Sequence, residues 1–124
     1  MMSYEQWLNS ILEAAKETAS REFQQEAWLS GRPSTSSPTE VYNLLFDAYT
    51  FDLFYETYSA GFTSEQSTAW REFKNQLEGY GNKYDEFPNE RVVFDDPDWQ
   101  LVRNAAAHFV AVFEQKHPAP SAVS

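Results

Sequence analysis

The chain has 124 residues, nineteen of them acidic against nine lysines and arginines, for a formal net charge of −10, and it contains no cysteine. That length fits one domain, and ten Phe, seven Tyr and four Trp supply a core that needs no disulfide or metal staple. The missing cysteines exclude thiolate metal sites and cysteine nucleophiles, and the charge argues against nucleic acid or an anionic membrane as a direct partner, because both require a basic patch.

The same charge favours a cationic protein partner; the plain alternative is that it serves solubility alone. The first residues, MMSYEQWLNSILEAAKETAS, lack the basic start, apolar run and cleavage site of a signal peptide. No window approaches the roughly 18–20 apolar residues of a membrane span. By elimination, the expected compartment is the cytoplasm.

Ser3-Tyr4-Glu5-Gln6 reads as a capping box, in which each end satisfies an orphan backbone amide. Behind it, Tyr4, Trp7, Leu8, Ile11, Leu12, Ala15, Ala19 and Phe23 recur at helical spacing. They predict one helix running to near Leu29, with Gly31 as its stop. The linker GRPSTSSP leads to a second box, Ser37-Pro38-Thr39-Glu40, with proline at the first helical position.

The helix predicted from there to Gly61 carries Val41, Leu44, Leu45, Ala48, Asp52 and Tyr55 on one face, widened by Phe46, Tyr49, Leu53 and Phe54. Being apolar around most of its circumference, it is expected to be the central, most buried helix. Asp47 and Asp52 are expected to point outward from it. A third box, Thr63-Ser64-Glu65-Gln66, opens a stripe of Gln66, Ala69, Trp70, Phe73 and Leu77 that Gly79 should close. Asp96-Pro97 then starts a fourth helix on Trp99, Val102, Ala105, Ala106, Phe109, Val110 and Phe113, ending before His117-Pro118.

The expected fold is all-α. It is an antiparallel four-helix bundle-like domain over residues 1–117 with a flexible tail over 118–124. The predicted connections are roughly eight, four and eighteen residues long, and only the third far exceeds what bundles use. It falls within YGNKYDEFPNERVVFDDPDW, which holds six carboxylates and five rings against two basic residues. Arg91 to Phe94 reads as a short extended piece without a partner strand.

Catalytic chemistry finds little support. His108 lies beside Phe109 as a core-edge side chain, and His117 sits at a helix end. Glu114 and His117 have the Glu-x-x-His spacing of di-iron bundles, but only one copy exists. Asp95-Asp96-Pro97-Asp98 lacks the pattern of a calcium loop, and no phosphate-binding glycine loop is present. No enzyme activity, cofactor or metal is therefore expected. Acids without ligand geometry, set beside rings, suit a docking surface, in which rings anchor and carboxylates steer. The candidate anchors are Tyr80, Tyr84, Phe87 and Phe94. The candidate charges are Asp85, Glu86, Glu90, Asp95, Asp96 and Asp98.

FQQEAWL in the first helix, LLFDAYTFDLF in the second and VVFDDPDWQLVRNAAAHFVAVF near the end together resemble the self-protective colicin-like immunity family, over roughly residues 20 to 113. The acidic turn entering the last helix, Asp95, Asp96 and Asp98, is similar in character to that family. The resemblance implies stoichiometric inhibition of a basic, nuclease-type toxin, with carboxylates filling its phosphate-binding groove. The competing expectation is a secretion chaperone or adaptor that grips a client segment through the aromatic second helix. Trp28 and the rings of that helix also leave a homodimer open.

Overall fold

Ser3 and Thr63 each close a full capping box in the computed structural model, which describes residues 3–31, 36–84 and 86–116 (Gln115 and Lys116 by backbone alone). All regular structure among the described residues is helical. The predicted tail, 118–124, and His117 lie outside them.

The first predicted helix is two. α1 spans Tyr4–Ala19 and α2 spans Arg21–Leu29, and between them Ser20 turns extended at φ −90°, ψ 105°. The Ser20 hydroxyl accepts from the Phe23 amide at 3.0 Å, so the residue that ends one helix starts the next. The break changes which face is inward. Phe23, expected on the apolar stripe, is 37% exposed, while Gln24 and Trp28 are buried.

The second predicted helix is also interrupted. Ser37 caps α3 (Pro38–Asn43), a π-helical turn follows at Leu44–Ala48, and α4 (Phe51–Tyr58) resumes after Thr50. Thr50 is left-handed, at φ 43°, ψ 62°, which costs a β-branched residue on the order of 1–3 kcal/mol. Two contacts offset that strain. The Trp7 indole donates to the Tyr49 carbonyl at 2.6 Å, and the turn swings Phe51 to stack on Trp70 at 4.0 Å. This segment is consequently not the most buried one: Leu53 is 51% exposed, and Asp47 and Asp52 are exposed as expected, Asp52 pairing with Lys74 at 3.5 Å.

The central place belongs to the last helix, α7 (Pro97–Lys116), which packs along both α1 and α5 (Ser64–Gly81). α5 runs through Gly79, because nothing at that glycine breaks the hydrogen-bond ladder, and the Asn82 amide still reaches the Glu78 carbonyl at 2.9 Å. Residues 91–94 are helical rather than extended. Asn89 caps α6 (Glu90–Asp95) by accepting from the Val92 amide at 3.1 Å. This second short helix shrinks the long connection to residues 82–89.

At the core, Trp70 meets Phe51, Phe54 at 5.4 Å, Phe109 at 5.3 Å and Phe113 at 5.8 Å. Its indole N–H is buried with no acceptor among the described residues. A second buried cluster joins distant helices through polar atoms. The Gln24 carbonyl oxygen accepts from Arg103 Nε at 2.7 Å and from the Trp99 indole at 3.2 Å. Its amide nitrogen donates to the Glu17 and Thr18 carbonyls at 2.8 and 2.7 Å, which satisfies the open end of α1. Gln24 thus fixes the α1–α2 break against α7.

Candidate functional site

The end of α5 and the start of α7 hold the candidate segment in place. Tyr80 is a core ring, 3% exposed, and its hydroxyl donates to Asp96 Oδ2 at 2.9 Å. Asp96 Oδ1 accepts from the Asp98 amide at 2.9 Å, closing the first turn of α7. Phe94 is also interior, 5% exposed, with the Arg21 and Arg103 guanidinium groups over its ring at 4.3 and 4.9 Å. Tyr80 and Phe94 therefore have almost no ring surface left for a partner, and Asp96 is committed to fastening α5 to α7.

Two further carboxylates have local cations. Asp98 pairs with Lys83 at 2.6 Å, and Asp95 with Arg91 at 4.0 Å one turn away. Both pairs are exposed, and such pairs add little to stability. Glu86 is exposed and Glu90 half-buried; Tyr84 and Phe87 are half-buried. Asp85 lies outside the described residues.

Tyr84, Glu86 and Phe87 come together with α3. They line a pocket of about 390 Å³ with Tyr42, Asn43 and Thr39. The Tyr42 ring meets Phe87 edge-on at 5.5 Å and leans on Phe46 at 4.7 Å. Gly81 makes this possible, since a Cβ there would lie 2.5 Å from the Tyr42 ring. Neither residue is legible in the sequence as part of a site. Tyr42 falls off the predicted apolar face, and a glycine needed for side-chain clearance has no local signature.

Elsewhere, His108 is exposed rather than at the core edge, because its neighbour Phe109 takes the inward position. It borders a groove of about 530 Å³ between α5 and α7, with Asn75, Gln76, Asn104 and Leu101. Trp28 is covered by Trp99, ring to ring at 6.0 Å, and its indole donates to Ser36 Oγ at 3.0 Å; it offers no dimer surface. Phe51 and Phe54 are wholly buried, so they lend no support to a client groove on the second helix. Glu114 pairs with Lys16 at 2.6 Å. Among the described residues, no three carboxylates or histidines are grouped to hold a metal.

Comparison with protein-family models, curated proteins and solved structures gives no match for this chain.

The Tyr80–Asp96 bond has a pH signature. Burial first, then the Asp96 carboxylate and Tyr84, raise the Tyr80 hydroxyl above its ordinary 10.0. The folded state holds this proton more tightly than the unfolded chain. Its contribution is whole below the unfolded value and is lost as pH rises beyond it. Urea midpoints between about pH 9 and 11 should fall more steeply in the wild type than in Tyr80→Phe. Parallel curves would mean that the bond carries no linkage.

Proposed function

We propose that this protein is a cytoplasmic immunity protein that binds a basic, nuclease-type toxin and blocks it one to one. Its frame is four-helix bundle-like, with α3 and α4 together taking the place of one helix. The observation that carries the reading is the surface between α5 and α7. There Glu86 and Asp95 are exposed and Glu90 is half-buried, in the same stretch of chain as the half-buried rings of Tyr84 and Phe87, on a chain of net charge −10. Carboxylates facing solvent are matched to a groove built for phosphates, and adjacent rings supply the apolar contact that charge lacks. Complexes of this type reach the tightest non-covalent affinities.

The test uses neutral variants at Glu86, Glu90 and Asp95 together, leaving Asp96 intact because it caps α7. Wild-type protein serves as bait in lysate of the source organism, and captured basic proteins are assayed for nuclease activity with and without it. The reading expects inhibition complete at one equivalent. It also expects affinity that falls with salt and drops roughly tenfold or more in the triple variant. A captured partner that is uninhibited, or equally bound by the triple variant, overturns it.

A further inference from the structure

The pocket beneath Tyr84 differs from the rest of the acidic surface in having walls. Three ring-bearing residues, Tyr42, Tyr84 and Phe87, line it together with Glu86, Asn43 and Thr39. Among the described residues, no lysine or arginine lines it. Just outside, Asp52 and Glu78 share a single cation, Lys74, at 3.5 and 3.8 Å, and Asp47 is exposed nearby on the same segment.

These acids act on the Tyr42 wall of the pocket. Burial, followed by the charges of Glu78, Asp47 and Asp52, raises the Tyr42 hydroxyl above its ordinary value. The ring of Tyr84 already attracts a cation, since the Lys83 ammonium lies 5.8 Å from its centroid. Aromatic walls with a carboxylate at the rim suit a flat cation, which can stack on rings while its N–H groups meet oxygen acceptors.

We propose that the pocket formed by Tyr42, Tyr84, Phe87 and Glu86 receives one arginine side chain of the protein partner. This rests on the immunity reading for the partner's identity, but the pocket's preference is a property of this chain alone. The guanidinium lies against Tyr42 or Phe87, its N–H fork faces Glu86, and Asn43 and Thr39 offer the remaining oxygens. Gly81 keeps the site open by leaving room for the Tyr42 ring, and any larger residue there displaces it.

The full-length chain, labelled with nitrogen-15, is titrated with acetyl-Gly-Arg-Gly-amide and with the same peptide carrying citrulline, the uncharged isostere. The arginine peptide should produce saturating shifts centred on Gly81, Tyr84, Glu86 and Phe87, and the citrulline peptide almost none. Glu86→Gln, an exposed change that leaves folding intact, and Phe87→Leu should each weaken binding, and together by roughly five- to thirtyfold. Gly81→Ala should weaken it further by moving Tyr42. Equal response to citrulline, shifts centred on the Asn75–Asn104 groove, or indifference to Glu86→Gln and Phe87→Leu each overturn the proposal. A toxin inhibited normally by a chain blind to arginine overturns the pocket alone. A chain that binds the arginine peptide but inhibits no captured nuclease overturns the immunity reading alone.

Discussion

Replacing Gln24 with leucine should lower folding stability by about 3–5 kcal/mol, against a total of about 5–15 kcal/mol for a domain of this kind. Leucine fills a similar volume, so the loss is polar rather than steric. Arg103 is 2% exposed, and its hydrogen bonds go to Gln24, to Gln100 Oε1 at 2.9 Å and to the Phe94 carbonyl at 2.9 Å, all neutral acceptors. Burial, with the nearby Arg21 charge adding to it, pulls its pKa down to about 10. Removing Gln24 takes away the Nε acceptor, the Trp99 indole acceptor and both donors to the end of α1 in one step.

The control is the double variant Gln24→Leu with Arg103→Met. It removes the stranded charge and should recover much of the loss, with a coupling of about 1–3 kcal/mol. Urea denaturation followed by circular dichroism measures all four corners of the cycle. A single-variant loss below about 1 kcal/mol, at the level of one ordinary hydrogen bond, would mean that Arg103 finds another acceptor and that Gln24 does not join α1 to α7.

Trp70→Ala should be comparably severe, at about 3–5 kcal/mol. The ring is wholly buried and stacks with Phe51 and Phe54 at an interplanar angle of 12° in each case, so its removal leaves a cavity that rigid rings cannot collapse into. Trp70→Phe should cost less than half as much. It preserves most of the stack and deletes an unpartnered N–H whose burial itself costs about 1–3 kcal/mol. Thermal and urea unfolding of the two variants decide this. If phenylalanine were as damaging as alanine, the indole would be contributing something beyond ring area.

The two predictions concern contacts of different legibility. Trp70 stands on a stripe at helical spacing, and its burial follows from that spacing alone. Gln24 sits in FQQEAWL as one polar residue among several, and nothing within a turn of it shows that Arg103, 79 positions away, depends on it. The candidate site divides in the same way. The connection's acids and rings are visible in the sequence, yet only packing separates Tyr80 and Phe94, which serve the core, from Tyr84 and Phe87, which line a pocket. Tyr42 and Gly81 carry no sequence signal, because their meaning is a distance between two helices.

What the sequence determined by itself is local. The starts at Ser3, Ser37, Thr63 and Asp96, the all-helical character and the inward faces of α1, α5 and α7 follow from caps and periodicities that act within about one helical turn. What the tertiary structure alone decided is where two predicted helices break. Ser20 and Thr50 leave helical geometry at a local cost, and the compensation comes from far along the chain. The Trp7 indole reaches the Tyr49 carbonyl across 42 positions, and the Trp99 indole reaches Gln24 across 75. A propensity summed over neighbours cannot register a gain whose partner lies on another helix. Both breaks therefore belong to the fold, and the pocket at Tyr42 exists only because that fold brings α3 against the end of α5.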